Sequence, residues 1–555
     1  MPEDRAVELI QRYDSLKSNR ANWESLWDKV VHYVIPRRGA VQKGETEGQR
    51  QTDQIYDSTA CEGLKIAAAG LFAFLCPPSE PWFSMSHSDR RIRNKSPVKK
   101  WLAEVTREIE EILQDSNFYQ QIHEAFLDLE STGTTTVFSE EDPERDGRIV
   151  FNCYSVHDTI VDVNYDGFVD TMFRRVLFTP RQAAQKFGED NLPEKVAKAL
   201  RDPKQVGAKF EFIHYVGKNE AFDPDIKRST SKNYKSLWLF YSDKEIVRDS
   251  ESGYDQLPYH VARMEKGSTE IYGRSSSIRM LPTIALVNRK SKDMLRATEK
   301  AIDPPVLLPN DGSISSWNNN PGGINYWNGA DPNAKPEYWQ FQGNLEAGWH
   351  SIERDQNAIM EGFNAHLFNA LAMAPQQDMT ATEVHERVDE KLTLLAPMIG
   401  RLQRELFQPI IMRAFNILKN SGKLPAAPPA VEAQINEDDF EIKYLGKLAQ
   451  ALRQMKMKGF LQSLNQISGL FEAKPEILDN INMDEAMVEL LRANSSPEEL
   501  IQSEADRDAL REARRQQEEA RAQQEAMDTA SQAISRTSKR PEEGSPAQQV
   551  TEGMR

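Results

Sequence analysis

Asp162, Asn164, Asp166 and Gly167 have the spacing that opens a calcium-binding EF loop, with oxygen ligands at alternate positions. The twelfth position, which must supply a bidentate glutamate, is Phe173, and the flanking residues alternate as strands do. The pattern therefore reads as a β-hairpin turned by Asp166-Gly167. His385-Glu386 begins like a zincin helix, but the residue four places after His385 is Asp389, so these read as helix-surface charges. The sequence has no Walker-type phosphate loop, no paired-glycine dinucleotide fingerprint and no recognisable nucleophile elbow. The nine histidines are scattered without zinc spacing. These residues predict no catalytic centre, no metal and no cofactor.

A different chemistry is offered by Arg289, Lys292, Arg296 and Lys300, which follow steps of three, four and four and form one basic stripe on a helix. Arg279 and Lys290 add to it, against Asp293 and Glu299. Two readings stand. The stripe is either a solvated face, or ion-paired with Glu346, Glu353 and Glu361 on a returning helix; alternatively it touches phosphates. The formal net charge of −16 argues against gripping nucleic acid with the whole surface. It is compatible with a local basic patch, and with a surface past which nucleic acid slides without sticking.

With 39% hydrophobic and 28% charged residues the chain reads as soluble and polar for its size. The longest apolar run, residues 66–76, is far short of the roughly 20 residues a membrane span needs. The M-P-E-D-R start continues into an amphipathic pattern and predicts no secretory signal. Cys61, Cys76 and Cys153, odd in number and widely spaced, predict reduced thiols made in a cytoplasm.

Periodicity supplies the elements that would carry these residues. Helices are predicted over residues 5–35, 58–75, 97–115 and 119–131. From residue 134 the period changes to two, predicting strands at 135–139, 149–154, 159–163, 168–178, 210–216, 236–241 and 245–249, with helices at 179–187 and 193–200 between them. Helical periodicity returns over 275–302 and again over 345–371. About forty residues between these helices are rich in proline, glycine and asparagine, yet carry Trp317, Tyr326, Trp327, Tyr338 and Trp339; they read as a compact non-helical tip. After a break at A-M-A-P-Q-Q-D comes a long helix whose apolar members run from Val384 to Leu418 in steps of three and four. Thr380 and Glu383 fit a capping box at its start, and Pro397 and Pro409 are expected to bend it. Over 380–421 it would span about 60 Å, too long to bury its stripe inside one ordinary domain, so it needs neighbours along its whole length. A strand at 440–444, helices at 447–471 and 483–493, a polar helical stretch to about residue 534 and a disordered end, 535–555, complete the reading.

Four stretches carry a family likeness: W-E-S-L-W-D-K-V-V-H-Y-V-I-P at 23–36, L-C-P-P-S-E-P-W-F at 75–83, Y-G-R-S at 272–275, and M-T-A-T-E-V at 379–384 followed by R-L-Q-R-E-L at 401–406. In this order they resemble the head-to-tail connector, or portal, proteins of short-tailed, podovirus-type bacteriophages, over roughly residues 5–491. The resemblance implies an α+β, mainly helical portal fold, assembling as a ring of about twelve subunits at one capsid vertex with double-stranded DNA passing through its axis. It implies a wing at 1–274, a first stem helix at 275–302, a clip at 303–344 and a second stem helix at 345–371. A tunnel loop at 372–379 would hold Ala374, Pro375, Gln376, Gln377 and Asp378. The long bent helix at 380–421, a crown at 422–495 and a tail at 496–555 follow. The basic stripe would line the channel. The clip aromatics would meet the terminase large subunit and later the tail adaptor and tail tube proteins, with major capsid and scaffolding proteins as further partners. The implied place is the virion, after assembly in the host bacterial cytoplasm, with no membrane. The alternative reading is a nucleic-acid-processing enzyme or motor subunit with a helical regulatory arm, and a third is a scaffold that binds only protein.

Overall fold

The computed structural model describes residues 2–36, 52–93, 95–142, 147–220, 232–307, 343–372, 395–432, 439–445, 459–464, 482–493 and 504–537, with 222, 318, 324, 337–338, 457 and 501–502. In chain order the strands are β1 (Phe83–His87), β2 (Thr134–Glu141), β3 (Ile149–Tyr154), β4 (Thr159–Val163), β5 (Val169–Phe178), β6 (Phe210–Lys218), β7 (Tyr234–Phe240), β8 (Glu245–Ile246), β9 (Ser252–Tyr254), β10 (Tyr259–Arg263), β11 (Val306–Leu307), β12 (Glu337–Tyr338) and β13 (Phe440–Tyr444). The chain forms two compact units. The larger takes Met1–Phe83, Arg107–Leu424 and Tyr444–Gly459, and the smaller takes Ser84–Thr106, Pro425–Lys443 and Phe460–Arg555. The first 274 residues thus contribute to both.

In the larger unit β4, β5, β6, β7 and β8 follow one another in an antiparallel sheet, with β9 also on β7. Strand side chains alternate between faces, and here each face meets a different helical cover. Ile213, Tyr215, Leu237 and Leu239 pack against Ala6, Ile10 and Tyr13 of helix α1 (Pro2–Asn19). Phe212, Trp238 and Phe240 pack instead against Ala183 and Val196 of the short helices Pro180–Phe187 and Glu194–Arg201. Each fully buried side chain of this size contributes about 1.5–3 kcal/mol. The sequence reading of one helix over 5–35 is corrected: α1 ends at Asn19 and α2 (Ala21–Val34) begins after Arg20. The Arg20 side chain is buried and donates to the carbonyls of Val156 (3.0 Å), His157 (2.8 Å) and Thr159 (2.6 Å), which draws the chain off the helical path between them.

Asp166-Gly167 does turn a hairpin. Gly167 has φ 81°, a left-handed conformation that suits glycine, and Asn164 accepts from the amides of Asp166 (3.0 Å) and Phe168 (2.9 Å). Asp162 is occupied by Arg12 at 2.7 Å. The side-chain oxygens of Asp162 and Asn164 are thus taken up by Arg12 and by the turn.

A second sheet runs β10-β2-β3. The long helix lies against it. Residues 395–402 are α-helical, Gln403–Phe407 form a π-helical turn, and Gln408–Asn420 are α-helical again. Pro409 accounts for the change: it has no N–H for the Glu405 carbonyl and its ring crowds that position. The ladder widens, and the Gln408 amide bonds the carbonyl of Gln403. Leu402, Leu406, Ile410, Ala414, Phe415 and Leu418 are buried by the same chain, which corrects the expectation that the stripe is too long to be buried inside one domain over this part. The helix start at Thr380 and Glu383 lies outside the described residues, and Pro397 lies near the beginning of the described part.

Glu405 completes the fit. Its carboxylate accepts from the Arg263 backbone amide (3.0 Å), Nε (3.1 Å) and the terminal guanidinium nitrogen (2.7 Å), with Arg263 only 3% exposed.

In the smaller unit β1 pairs with β13, and Phe440 lies against His87 and Trp101. The helix Glu504–Thr537 is exposed along its described side chains apart from half-buried Arg507, and its Arg511 holds Asp484 with two bonds of 2.7 Å. It runs past the residue-534 limit read from sequence; 538–555 and most of the expected helix at 447–471 lie outside the described residues. No described helix is long and apolar enough to cross a membrane.

Two predictions follow from this packing. Glu405→Ala strands the buried Arg263 charge and is expected to cost about 3–5 kcal/mol in urea unfolding; a loss under about 1 kcal/mol would remove the pair as a structural requirement. Burial, with help from Arg174, pushes His214 well below its usual range, and burial with help from Arg413 pushes His260 to about 3. Both are therefore neutral when folded and free to protonate when unfolded. Stability is fully present above about pH 6.5 and falls below it, by up to about 1.4 kcal/mol per pH unit for each histidine. His260→Asn is expected to flatten the slope between pH 6 and pH 4 in stability measured against pH; an unchanged slope would contradict it.

Candidate functional site

The described part of the basic stripe stands on a helical hairpin in the larger unit: the outgoing helix Ser276–Ile302 and the returning helix Leu345–Gly362. Both helices start at side-chain caps. The Ser275 hydroxyl accepts from the Ile278 amide (3.0 Å) and donates to the Ser131 carbonyl (2.6 Å), and Asn344 accepts from the Ala347 amide (3.0 Å). Small residues let the helices approach. The Met294 side chain fills the place a Cβ on Gly348 would take, and Met280 does the same at Gly362. Between these contacts the Lys290 ammonium donates to Ser351 Oγ (2.9 Å) and Asp355 Oδ2 (2.6 Å). Lys290 first, and Arg354 after it, hold the Asp355 carboxyl below its usual range against the opposing effect of burial.

The segment before helix α3 (Thr59–Leu75) grips the hairpin from one side. The Asn288 side chain accepts from the Tyr56 amide (2.7 Å) and donates to the Gln54 carbonyl (3.0 Å), while Gln356 donates to Asp57 (2.6 Å). The Lys292 ammonium lies 5.1 Å from the centre of the Tyr56 ring.

The six basic residues of the outgoing helix thus have different duties. Arg279 pairs with Glu265 (3.1 Å), Lys290 is internal to the hairpin, and Lys292 is engaged by Tyr56. Arg289 is 84% exposed with Asp293 at 3.8 Å, and Arg296 and Lys300 are exposed with no carboxylate partner among the described residues. The expected ion pairs with Glu346, Glu353 and Glu361 are absent among the described residues. The carboxylate of the returning helix that faces across is Asp355, while Glu346 and Glu353 flank His350 on the outside.

At the far end of the hairpin Val306 pairs with Tyr338 and Leu307 with Glu337, a two-stranded ribbon beneath the expected tip. Trp317, Tyr326, Trp327 and Trp339 lie outside the described residues, and Tyr338 is described in its backbone only. At the near end the returning helix does not continue smoothly over 345–371. It breaks at Asn364 (φ 55°) and resumes as Ala365–Ala372. Gly63 and Gly70 of α3 leave room for the rings of Phe363 and Phe368 on either side of that break. Ala374, Pro375, Gln376, Gln377 and Asp378 fall outside the described residues.

Three of the four sequence stretches singled out above are junctions of this unit. Tyr272 lies against Trp23 and Trp27 with ring centres 6.1 and 5.0 Å apart. Gly273 and Gly133 pass so closely that a Cβ on either would strike the other's carbonyl oxygen. Trp82 stacks on Phe118, approaches Phe407 at 5.1 Å and gives its carbonyl to the Leu445 amide (2.8 Å). None of these contacts arranges an acid, base or nucleophile, and the described residues contain no group of three or more His, Cys, Asp or Glu placed to hold a metal. The cysteines are free thiols. What the arrangement offers is a helical hairpin with an exposed, charged exterior.

A family model described as "Bacteriophage head to tail connecting protein" matches residues 6–501. The chain is similar to a protein of Bordetella phage BPP-1 named "Probable portal protein", 27% identical over 482 residues that cover 86% of this chain and 85% of that one. It is also similar to the "Portal protein" of Salmonella phage epsilon15, 26% identical over 491 residues, covering 88% and 87%.

Lys290 and Lys292 are two residues apart and separate structural from surface charge. Lys290→Met leaves Asp355 without its main partner and is expected to lower stability by about 1–3 kcal/mol. Lys292→Gln loses one exposed cation–π contact, about 0.5–1 kcal/mol. Equal effects in a thermal melt would contradict this division.

Proposed function

Since this chain belongs to the family of bacteriophage head-to-tail connecting proteins, we propose a specific working form for its portal function: a ring of about twelve copies at one capsid vertex, with double-stranded DNA moving through its axis during packaging and ejection. The carrying observation is the match of nearly the whole chain to that family and to portal proteins at similar coverage of both partners. The hairpin Ser276–Ile302 and Leu345–Gly362 serves as the stem, and the ribbon β11-β12 as the root of a clip. Through that clip, residues 303–344 dock the terminase large subunit and afterwards the tail adaptor and tail tube proteins. Residues 372–379 act as a tunnel loop toward the channel, where Gln376 and Gln377 offer neutral hydrogen bonds to DNA. The long helix links wing and crown, and major capsid and scaffolding proteins meet the outer parts. Assembly takes place in the host bacterial cytoplasm and the product resides in the virion.

Charge supports this reading. A formal −16 per copy, multiplied around a ring, gives a negative field past which DNA slides without lasting contacts. The role is structural and requires no catalytic step. The family match favours it over a nucleic-acid-processing enzyme and over a scaffold that binds protein alone.

Native mass measurement of the purified chain is expected to give one closed assembly of fixed subunit number. A stable monomer at micromolar concentration would overturn the ring.

A further inference from the structure

The hairpin has two outer sides of opposite charge. On the outgoing helix, Met280, Lys290 and Met294 face the returning helix, so a turn of about 100° per residue places Arg289 and Arg296 on the side facing away from it. On the returning helix, Gly348, Asp355 and Gly362 face inward, and the same geometry turns Glu346 and Glu353 outward. Within one chain Arg289 and Arg296 therefore cannot reach Glu346 and Glu353.

The heights of these residues are fixed by the packing. Met280 lies over Gly362 and Met294 over Gly348. Nine residues up from Met280 is Arg289, and nine back from Gly362 is Glu353; two past Met294 is Arg296, and two before Gly348 is Glu346. Arg289 is thus level with Glu353, and Arg296 with Glu346. Each pair on a helix is seven residues apart, about 10 Å along the axis.

We infer that the occupant of these two faces is a second copy of this chain: Arg289 and Arg296 of one subunit pair with Glu353 and Glu346 of the next. The match in height has a geometric consequence. A neighbour brought alongside by rotation alone, with no shift along the hairpin axis, aligns both pairs at once. A repeated heterologous contact without axial shift closes into a ring when its rotation divides a full turn. Other charges at these faces are weaker competitors: Asp293 lies 3.8 Å from Arg289, Arg354 is drawn to Asp355 at 2.9 Å, and His350 lies between the two glutamates at 3.9 and 3.6 Å. The inference rests on the portal reading and narrows it, because it gives Arg289 and Arg296 to a neighbouring subunit rather than to DNA phosphates.

Charge exchange tests it on the full chain. One variant carries Arg289→Glu and Arg296→Glu, the other Glu346→Arg and Glu353→Arg; these exposed positions leave the fold intact, checked by thermal melting. Each variant alone is expected to lose about tenfold or more of its ring, measured by native mass spectrometry at fixed concentration and moderate salt. Mixed in equal amounts, the two are complementary and are expected to recover rings of alternating composition. The chain with all four changes is expected to assemble within about twofold of the parent. Normal rings from either double variant, or no recovery in both the mixture and the fourfold variant, would overturn the inference while leaving the ring of the parent chain, and hence the portal reading, in place. A parent chain that makes no ring would overturn the portal reading itself and the inference with it.

Discussion

A guanidinium buried at the end of a strand cannot remain unpaired, and in the larger unit that constraint falls on Arg263. It closes β10 opposite Thr134 and donates to Glu405, to the Gly167 carbonyl (3.3 Å) and to the Ile271 carbonyl (3.4 Å). Desolvating such an ion alone costs several kcal/mol. The hairpin turn at Gly167, the segment leading into Tyr272 and the long helix must therefore arrive together. Ten residues beyond Arg263 the chain threads past Gly133 at a distance only glycine permits, then caps the outgoing helix of the hairpin through Ser275. The base of the helical hairpin is thus set by the same cluster that seats the long helix.

The π-turn at Gln403–Phe407 belongs to this arrangement. Pro409 withholds one helical bond, and the widened turn is accommodated in two ways. The Gln403 carbonyl accepts from the Tyr444 hydroxyl (2.8 Å), and the Glu405 side chain reaches the Arg263 fork. Past the turn, buried Arg413 gives bonds to the carbonyls of Ser139 (3.1 Å) and Gln256 (3.4 Å). A helix carrying two buried arginine contacts and an apolar stripe is held by its own chain. Pro409 shapes it without leaving it dependent on a neighbour over residues 395–420.

Local signals were legible in the sequence where the physics is local. The period-two segments gave β3 and β4 at their observed limits, the helix read over 179–187 stands at Pro180–Phe187, and Asp166-Gly167 gave its turn. The hairpin helices were legible from their 3.6-residue period and the proline-rich insert between them. What was not legible depends on residues far apart. Arg263 and Glu405 are ordinary charges until the fold joins them across 142 positions, and Arg20 gives no sign of leaving a helix for three carbonyls. The basic stripe was visible as a stripe, but not that Lys290 turns inward to Asp355 while Arg289 turns out. That sorting needs the register set by Gly348 and Gly362, whose lack of side chains reads in sequence only as poor helix propensity.

The hairpin joins these levels. Its internal contacts fix which charges face outward and at what height, and its outward charges decide how copies meet. An averaged electron-microscopy reconstruction of the purified assembly, at a resolution that separates helices, tests this most directly. The account predicts a closed ring in which Ser276–Ile302 of each subunit lies beside Leu345–Gly362 of the next, with Arg289 level with the neighbour's Glu353. A ring whose hairpins stand apart, or meet with an offset of a helical turn or more, would contradict it.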